Sequence, residues 1–424
     1  MNSIPLLLIQ LVAILGTARI LSVVLRHLEQ PPVIGEMLAG IALGPIVFGA
    51  LAPQAQAFLF APASLSALDG LSEIGLVLFM FIVGAELRLP GGARRHLRAS
   101  ALVGTLSVLL PFALGIAISP GLHERFAPPG ISFWPFAFFM AASMSITAFP
   151  IMARILKERR MTETPVGRLS LTSAALADVL TWIVLAFVVA LISSHSGWSG
   201  FAFTLIGSLV LAAVAFVLLR PWLAHMLARH AAEGRPGNGM LALILILVFA
   251  SSAITSALGL HAVFGAFLIG AVLPRDNRLL ACLIERIEYV AVLVLMPVFF
   301  ALAGLNTTTD AFAGAGLGAL LLILAAAVFG KVLGGAAGAR LSGLGWGEAM
   351  AVGALMNARA LMELIVMKVG LDIGVIGNEI FTMLMVMAVV TTLMTTPLLI
   401  AFAGNRRADA AFAAEGKPST GDPP

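Results

Sequence analysis

Seven ionisable side chains stand in stretches otherwise suited to lipid: Glu36, Glu73, Glu86, Asp178, Lys331, Arg359 and Glu363. Such groups cost about 2.5–3.5 kcal/mol at membrane depth even on lenient scales, and they mark functional sites by default. Asp178 is the most isolated. It lies a third of the way into SLTSAALADVLTWIVLAFVVALI, with no basic residue within two turns. A carboxylate placed there can be neutralised by a proton or by a metal cation, so it can trade one for the other. Lys331, in AAAVFGKVLGG, is similarly isolated and is a candidate partner. The remaining acids have plainer readings. Glu36 follows Pro31-Pro32 by about a turn and Glu86 is close to Arg88, so interfacial water accounts for both. Glu73, near the end of its stretch, suits a structural hydrogen bond as well as a substrate contact.

Hard oxygen ligands for such a cation are supplied by two interrupted segments. In FFMAASMSITAFPIMARIL, Ser143, Ser145 and Thr147 precede Pro150, whose ring and missing N–H leave backbone groups near residue 146 unpaired. An unwound crossing over Ser145–Phe149 would expose carbonyls and hydroxyls. In GEAMAVGALMNARALMELIVMKVG, Asn357 and Arg359 fall in mid-membrane. Paired interrupted helices at matching positions of two halves are a recurrent ion-site device in transporters.

These residues need long apolar helices to hold them, and the composition supplies little else. Of 424 residues, 60% are hydrophobic and 11% charged, with a mean hydropathy of +1.05. Soluble domains carry roughly 25% charged residues, so a soluble enzyme, a nucleic-acid binder and a disordered scaffold are excluded. A lone cysteine, Cys282, rules out an intramolecular disulfide and a cysteine metal cluster. About 20 apolar residues cross a bilayer as helix. Thirteen spans result, near 5–26, 31–50, 68–87, 99–119, 133–155, 167–192, 200–219, 239–257, 259–274, 287–306, 312–337, 347–370 and 376–403. The start, MNSIPLLL, lacks a basic stretch and reads as the first span, not as a cleaved leader.

Twenty of the 25 lysines and arginines fall in one set of loops, and the opposite set holds only Arg125. The positive-inside rule then puts the amino terminus outside and the carboxyl terminus in the cytoplasm. The polar tail over 404–424 is expected to be disordered. With span seven as a linker, spans 1–6 and 8–13 form two six-helix halves of inverted topology, and each half carries its interruption in its fifth span. An enzyme would need clustered nucleophile, base and metal ligands, but the seven histidines sit mostly in loops and at span ends. A cation channel or efflux pathway without obligatory proton coupling is the competing class. It would need a filter of repeated carbonyls or charged rings, and no such tandem motif occurs.

Eight segments, in order, resemble the monovalent cation:proton antiporters of the second cation:proton antiporter family, which have the sodium/hydrogen exchanger fold. They are similar above all to the plant cation/proton exchangers and their bacterial relatives. The segments are QPPVIGEMLAGIALGP (30–45), EIGLVLFMFIVGAEL (73–87), SITAFPIMARIL (145–156), ALADVLTW (175–182), GLHAVFGAFLIGAVLPR (259–275), MPVFFALAGL (296–305), FGKVLGG (329–335) and GALMNARALMELIV (353–366). The resemblance implies an all-α membrane domain over 1–403 whose two discontinuous helices cross in a core of spans 4–6 and 11–13 (about 99–192 and 312–403). That core would move like an elevator against a dimerisation domain of spans 1–3 and 8–10 (about 5–87 and 239–306), with 200–219 as linker. It implies that Asp178 alternately binds proton and cation, that Thr147 belongs to the unwound segment beside it, and that Lys331 and Arg359 are supporting polar groups; the residues themselves add Ser145 as a further oxygen ligand and Glu363 and Asn357 as supporting groups. A homodimer in the inner membrane, serving pH homeostasis, is implied as well, with Na⁺ or K⁺ and H⁺ as cargo, no cofactor and no nucleic acid. Ala177 departs from the pattern, since a second carboxylate or an asparagine usually precedes the aspartate. Lys331 must then pair with Asp178 itself or with another acid such as Glu363. A single available carboxylate points to one-for-one, electroneutral exchange, and the roomier Ala177 leans towards K⁺.

Overall fold

A backbone that crosses lipid must satisfy its own N–H and C=O groups, and this chain does so with helices. The computed structural model describes residues 3–27, 30–86, 94–162, 164–193, 198–230, 237–274, 277–359 and 361–403. The tail expected to be disordered, 404–424, lies outside them. Every regular element among the described residues is helical. Ten helices are long and apolar enough to cross a membrane, and Phe133–Ser145 and Ala262–Val272 are shorter apolar helices.

The first stretch contains α1 (Ser3–His27), α2 (Pro32–Leu43), α3 (Pro53–Leu59), α4 (Leu65–Glu86) and α5 (Arg94–Phe126). Next come α6 (Phe133–Ser145), α7 (Phe149–Glu158), α8 (Pro165–Ser193), α9 (Trp198–Ala213), α10 (Arg220–His230), α11 (Asn238–Ala257) and α12 (Ala262–Val272). The chain closes with α13 (Asn277–Val290), α14 (Met296–Leu305), α15 (Gly316–Leu341), α16 (Trp346–Met356), α17 (Leu361–Asp372) and α18 (Asn378–Ala403). Wider π-helical turns at Pro45–Gly49, Val214–Leu219 and Ala291–Leu295 each contain a proline or end two residues before one: Pro45, Pro221 and Pro297. A proline removes one ladder bond, and a wider turn absorbs the gap.

Both interruptions are present. Helix stops at Ser145 and resumes at Phe149, and it stops at Met356 and resumes at Leu361. Boundaries elsewhere differ from the hydropathy reading for identifiable reasons. α5 runs well beyond 99–119 at both ends because its polar turns continue the helix past the apolar run. α15 starts four residues later than expected. A short 3-10 turn, Thr309–Phe312, whose Thr308 hydroxyl accepts from the Asp310 amide, is followed by Gly314 at φ +53°. α3 was hidden because its seven residues are too few to show a period.

Close helix approach places the buried lysine. α15 lies along α5 and α16, and its Gly330, Gly334 and Gly338 form a small-residue stripe of the kind that lets membrane helices touch. A Cβ at these positions would stand 2.5–2.7 Å from Pro111 Cα, Leu106 O and Val103 Cα of α5. The stripe draws α15 inward and leaves the Lys331 side chain fully buried.

Candidate functional site

Two broken helices meet at their breaks. The Ala148 amide donates to the Ala358 carbonyl at 2.9 Å, joining the unwound segment after α6 to the one after α16. A helix that stops inside a protein leaves its last carbonyls without partners and carries partial negative charge there. Two buried cations serve the end of α6. Lys331 donates to the Ser145 carbonyl and, at 2.7 Å, to Thr147 Oγ1. Arg359 donates to the Met144 carbonyl at 2.7 Å and to the Ser143 carbonyl at 3.4 Å.

The opposite polarity appears at the start of α7. Its Phe149 amide hydrogen-bonds the carboxylate of Asp178, which α8 presents with 5% exposure. A helix N-terminus favours a negative group for the same reason that its other end favours a positive one. Glu363 stands in the first turn of α17, fully buried, with its oxygens 3.4 and 3.5 Å from Arg359 Nη1. Each half-helix that starts in the interior therefore has an acid in or facing its first turn, and both buried bases sit on the α6 terminus.

Sequence reasoning located Asp178, Ser145, Thr147, Lys331, Asn357, Arg359 and Glu363, and all seven are buried. Among the described residues Lys331 is hydrogen-bonded to the Ser145 carbonyl and Thr147 Oγ1 and to no carboxylate, while Asp178 and Glu363 act on it through space. Glu363 belongs to Arg359. The Ser145 hydroxyl turns back to the Ala141 and Val108 carbonyls, so its contribution to the site is its carbonyl. Asn357 donates to the Thr391 carbonyl at 3.1 Å, and its Oδ1 is buried without a partner. Thr392 was not anticipated; its hydroxyl accepts from the Arg359 amide at 3.2 Å. The threonine-rich run TTLMTT (391–396) was the available signal for it.

Away from this centre, Glu36 is half-buried and feels Arg154 of α7 electrostatically. Glu86 is exposed at the end of α4, in keeping with an interfacial acid. Glu73 lies 3.8 Å from His261. Among the described residues no group of three or more His, Cys, Asp or Glu side chains could hold a metal ion. The oxygens suited to an alkali cation are the Asp178 carboxylate, Thr147 Oγ1 and the Ser145 carbonyl, and the lysine ammonium stands on the last two.

Two interrupted helices joined at their breaks, with an acid facing them inside an apolar bundle, form the ion-site arrangement of secondary transporters. The chain belongs to the monovalent cation:proton antiporters of the sodium/hydrogen exchanger family: the family described as "Sodium/hydrogen exchanger, transmembrane" matches residues 11–401. It is 39% identical over 401 residues to the Na(+)/H(+) antiporter NhaS4 of Synechocystis, covering 94% of this chain and 97% of that protein. It is 36% identical to the Arabidopsis thaliana cation/H(+) antiporter 17 and 33% identical to the Saccharomyces cerevisiae K(+)/H(+) antiporter 1, again over 94% of this chain. The chain spans about half the length of these plant and yeast relatives, 48% and 46%. The fold is shared with the sodium proton antiporter MjNhaP1 of Methanocaldococcus jannaschii. The TM-score is 0.64 over 95% of this chain and 100% of that one, at 15% identity.

Proposed function

We propose that the protein exchanges Na⁺ or K⁺ for H⁺ across the cell's inner membrane by alternating access at Asp178. The observation that carries this reading is a buried carboxylate at the N-terminus of α7, beside oxygens already holding a positive charge. Protonated Asp178 has no charge with which to hold a metal cation. Ionised Asp178 captures one, with Thr147 and the Ser145 carbonyl completing the shell once the Lys331 ammonium withdraws. Proton and cation neutralise the same group, so neither crosses uncoupled. Each ligand changes which facing state is populated only through its differential affinity for the two states.

The proposal includes an architecture of thirteen spans in two inverted six-helix halves, with α9, its π turn and α10 as linker. α5 to α8 and α15 to α18 form the moving core. α1, α2, α4 and α11 to α14 form the dimerising frame of a homodimer embedded in lipid. The amino terminus lies outside and the carboxyl terminus in the cytoplasm. Exchange is one-for-one and electroneutral. The NhaS4 relative is named for Na⁺ and the yeast relative for K⁺, so the ion is decided by assay. Everted vesicles with a pH-sensitive dye test the reading. Addition of Na⁺ or K⁺, with Li⁺ for comparison, collapses an imposed proton gradient. Cation flux that persists with no linked proton movement overturns it in favour of a channel.

A further inference from the structure

A second cluster of charges joins α4, α12 and α17, remote in sequence from Asp178. His261 heads α12, and each of its ring nitrogens faces a different carboxylate. Nδ1 is 3.8 Å from Glu73 Oε1 on α4, and Nε2 is 3.8 Å from Asp372 Oδ2 at the end of α17. Lys368, one turn earlier on α17, pairs with the other oxygen of Asp372. The ring is largely buried, with 13% of the side chain exposed, and Nδ1 has no hydrogen-bond partner. The elements packed on α12 add little: α11 carries no titratable side chain, and neither does the π turn before α10. On α4, Asp69 stands one turn from Glu73 and is exposed.

This geometry has only one protonation state that satisfies both arms. Neutral imidazole has one N–H, so it points a lone pair at one of the two carboxylates. Imidazolium donates from both nitrogens and is attracted to both acids. Histidine is the side chain whose charge ordinarily changes between pH 5 and 8. The three residues also span the proposed division of the molecule. Glu73 and His261 belong to the frame, and Asp372 belongs to the half-helix that continues from the Arg359 break.

We propose that His261 is a proton-operated latch between the frame and the core at the outer face. When charged, it ties Glu73 of α4 to Asp372 of α17 and holds the outer side shut; when neutral, it releases one arm and lets α17 swing away. External acid would thus slow the carrier at the step that exposes Asp178 to the outside, limiting proton entry when protons are abundant. This rests on the two-part exchanger reading above. It differs from proton competition at Asp178, which more cation relieves.

The test places nitroxides at Ser66→Cys and Asn378→Cys, exposed positions on α4 and α18, in a Cys282→Ser background in liposomes. Spin–spin distances are recorded from acidic to alkaline pH. The expected result is a short-distance population favoured in acid that loses ground by about two- to fivefold at alkaline pH, the scale of one partly exposed ion pair. His261→Gln abolishes the pH response, and Glu73→Gln, at a half-exposed site that should not disturb folding, weakens it. A wild-type distribution unmoved by pH, or a His261→Gln distribution that moves as the wild type does, overturns the latch. Flux measured on the same liposomes reports separately. Exchange whose maximal rate falls with external acid in wild type but not in His261→Gln supports the latch. A total lack of proton-coupled flux in wild type, with the distance response intact, faults the exchanger reading and spares the latch.

Discussion

At Asp178, charge and shape can be separated by one substitution. Asp178→Asn keeps the volume and the bond from the Phe149 amide while deleting the group that binds proton or cation. Exchange in vesicles is expected to fall to the level of empty membranes, with an unchanged elution profile and little change in melting temperature. Lys331 offers a different experiment. Its ammonium satisfies Ser145 O and Thr147 Oγ1 in a site without exposure, and leaving two buried acceptors empty costs about 1–3 kcal/mol each. Lys331→Met, which has no donor, should therefore melt at a lower temperature in choline salt. Na⁺ or K⁺ should restore more stability to the variant than to wild type, because the metal ion no longer has to displace a resident cation. Equal cation-induced shifts in the two proteins would mean that the ammonium and the metal do not compete. Five of the buried polar groups were legible from residue type alone, since a charge or amide in an apolar run announces itself, and Ser145 and Thr147 were marked by the nearby Pro150. Their partners were not, because Lys331 meets Ser145 only through the packing of α15 against its neighbours, 186 positions away in sequence.

Between elements, small residues decide distance. A side chain at Gly334 would meet the Leu106 carbonyl of α5 at 2.5 Å, whereas one at Gly318, on the same helix, meets nothing within 4 Å. Gly334→Leu is expected to destabilise by about 1–3 kcal/mol through overpacking and to displace Lys331 from the α6 terminus. Gly318→Ala is expected to leave stability the same or raise it by up to about 1 kcal/mol, from helix propensity. Thermal melts of the two variants beside wild type check the contrast. The first break was legible because Pro150 and its hydroxyl-bearing neighbours name it locally. The second was marked only by Asn357 and Arg359, and their roles come from α18, which brings the Thr391 carbonyl and the Thr392 hydroxyl across. The latch was illegible altogether: Glu73, His261 and Asp372 sit on three helices, and no spacing rule links them.

For the molecule as a whole, the proposed one-for-one exchange rests on how four buried charges are disposed. Arg359 and Glu363 neutralise one another, and Lys331 serves the end of α6. In the proposed mechanism Asp178 is then the acid left to exchange its proton. One carboxylate trading one proton for one monovalent ion moves no net charge. A net charge crossing the membrane would feel about 2.3 kcal/mol per 100 mV, so flux through liposomes held at different potentials should be flat, and a steep voltage dependence would refute one-for-one exchange. The most direct test of a shared carboxylate needs no gradient. Purified protein in weakly buffered solution is titrated with the transported cation while released protons are counted. The expected result is one proton liberated for each cation bound, and neither event in Asp178→Asn. Cation binding without proton release, or binding that survives in Asp178→Asn, would contradict it.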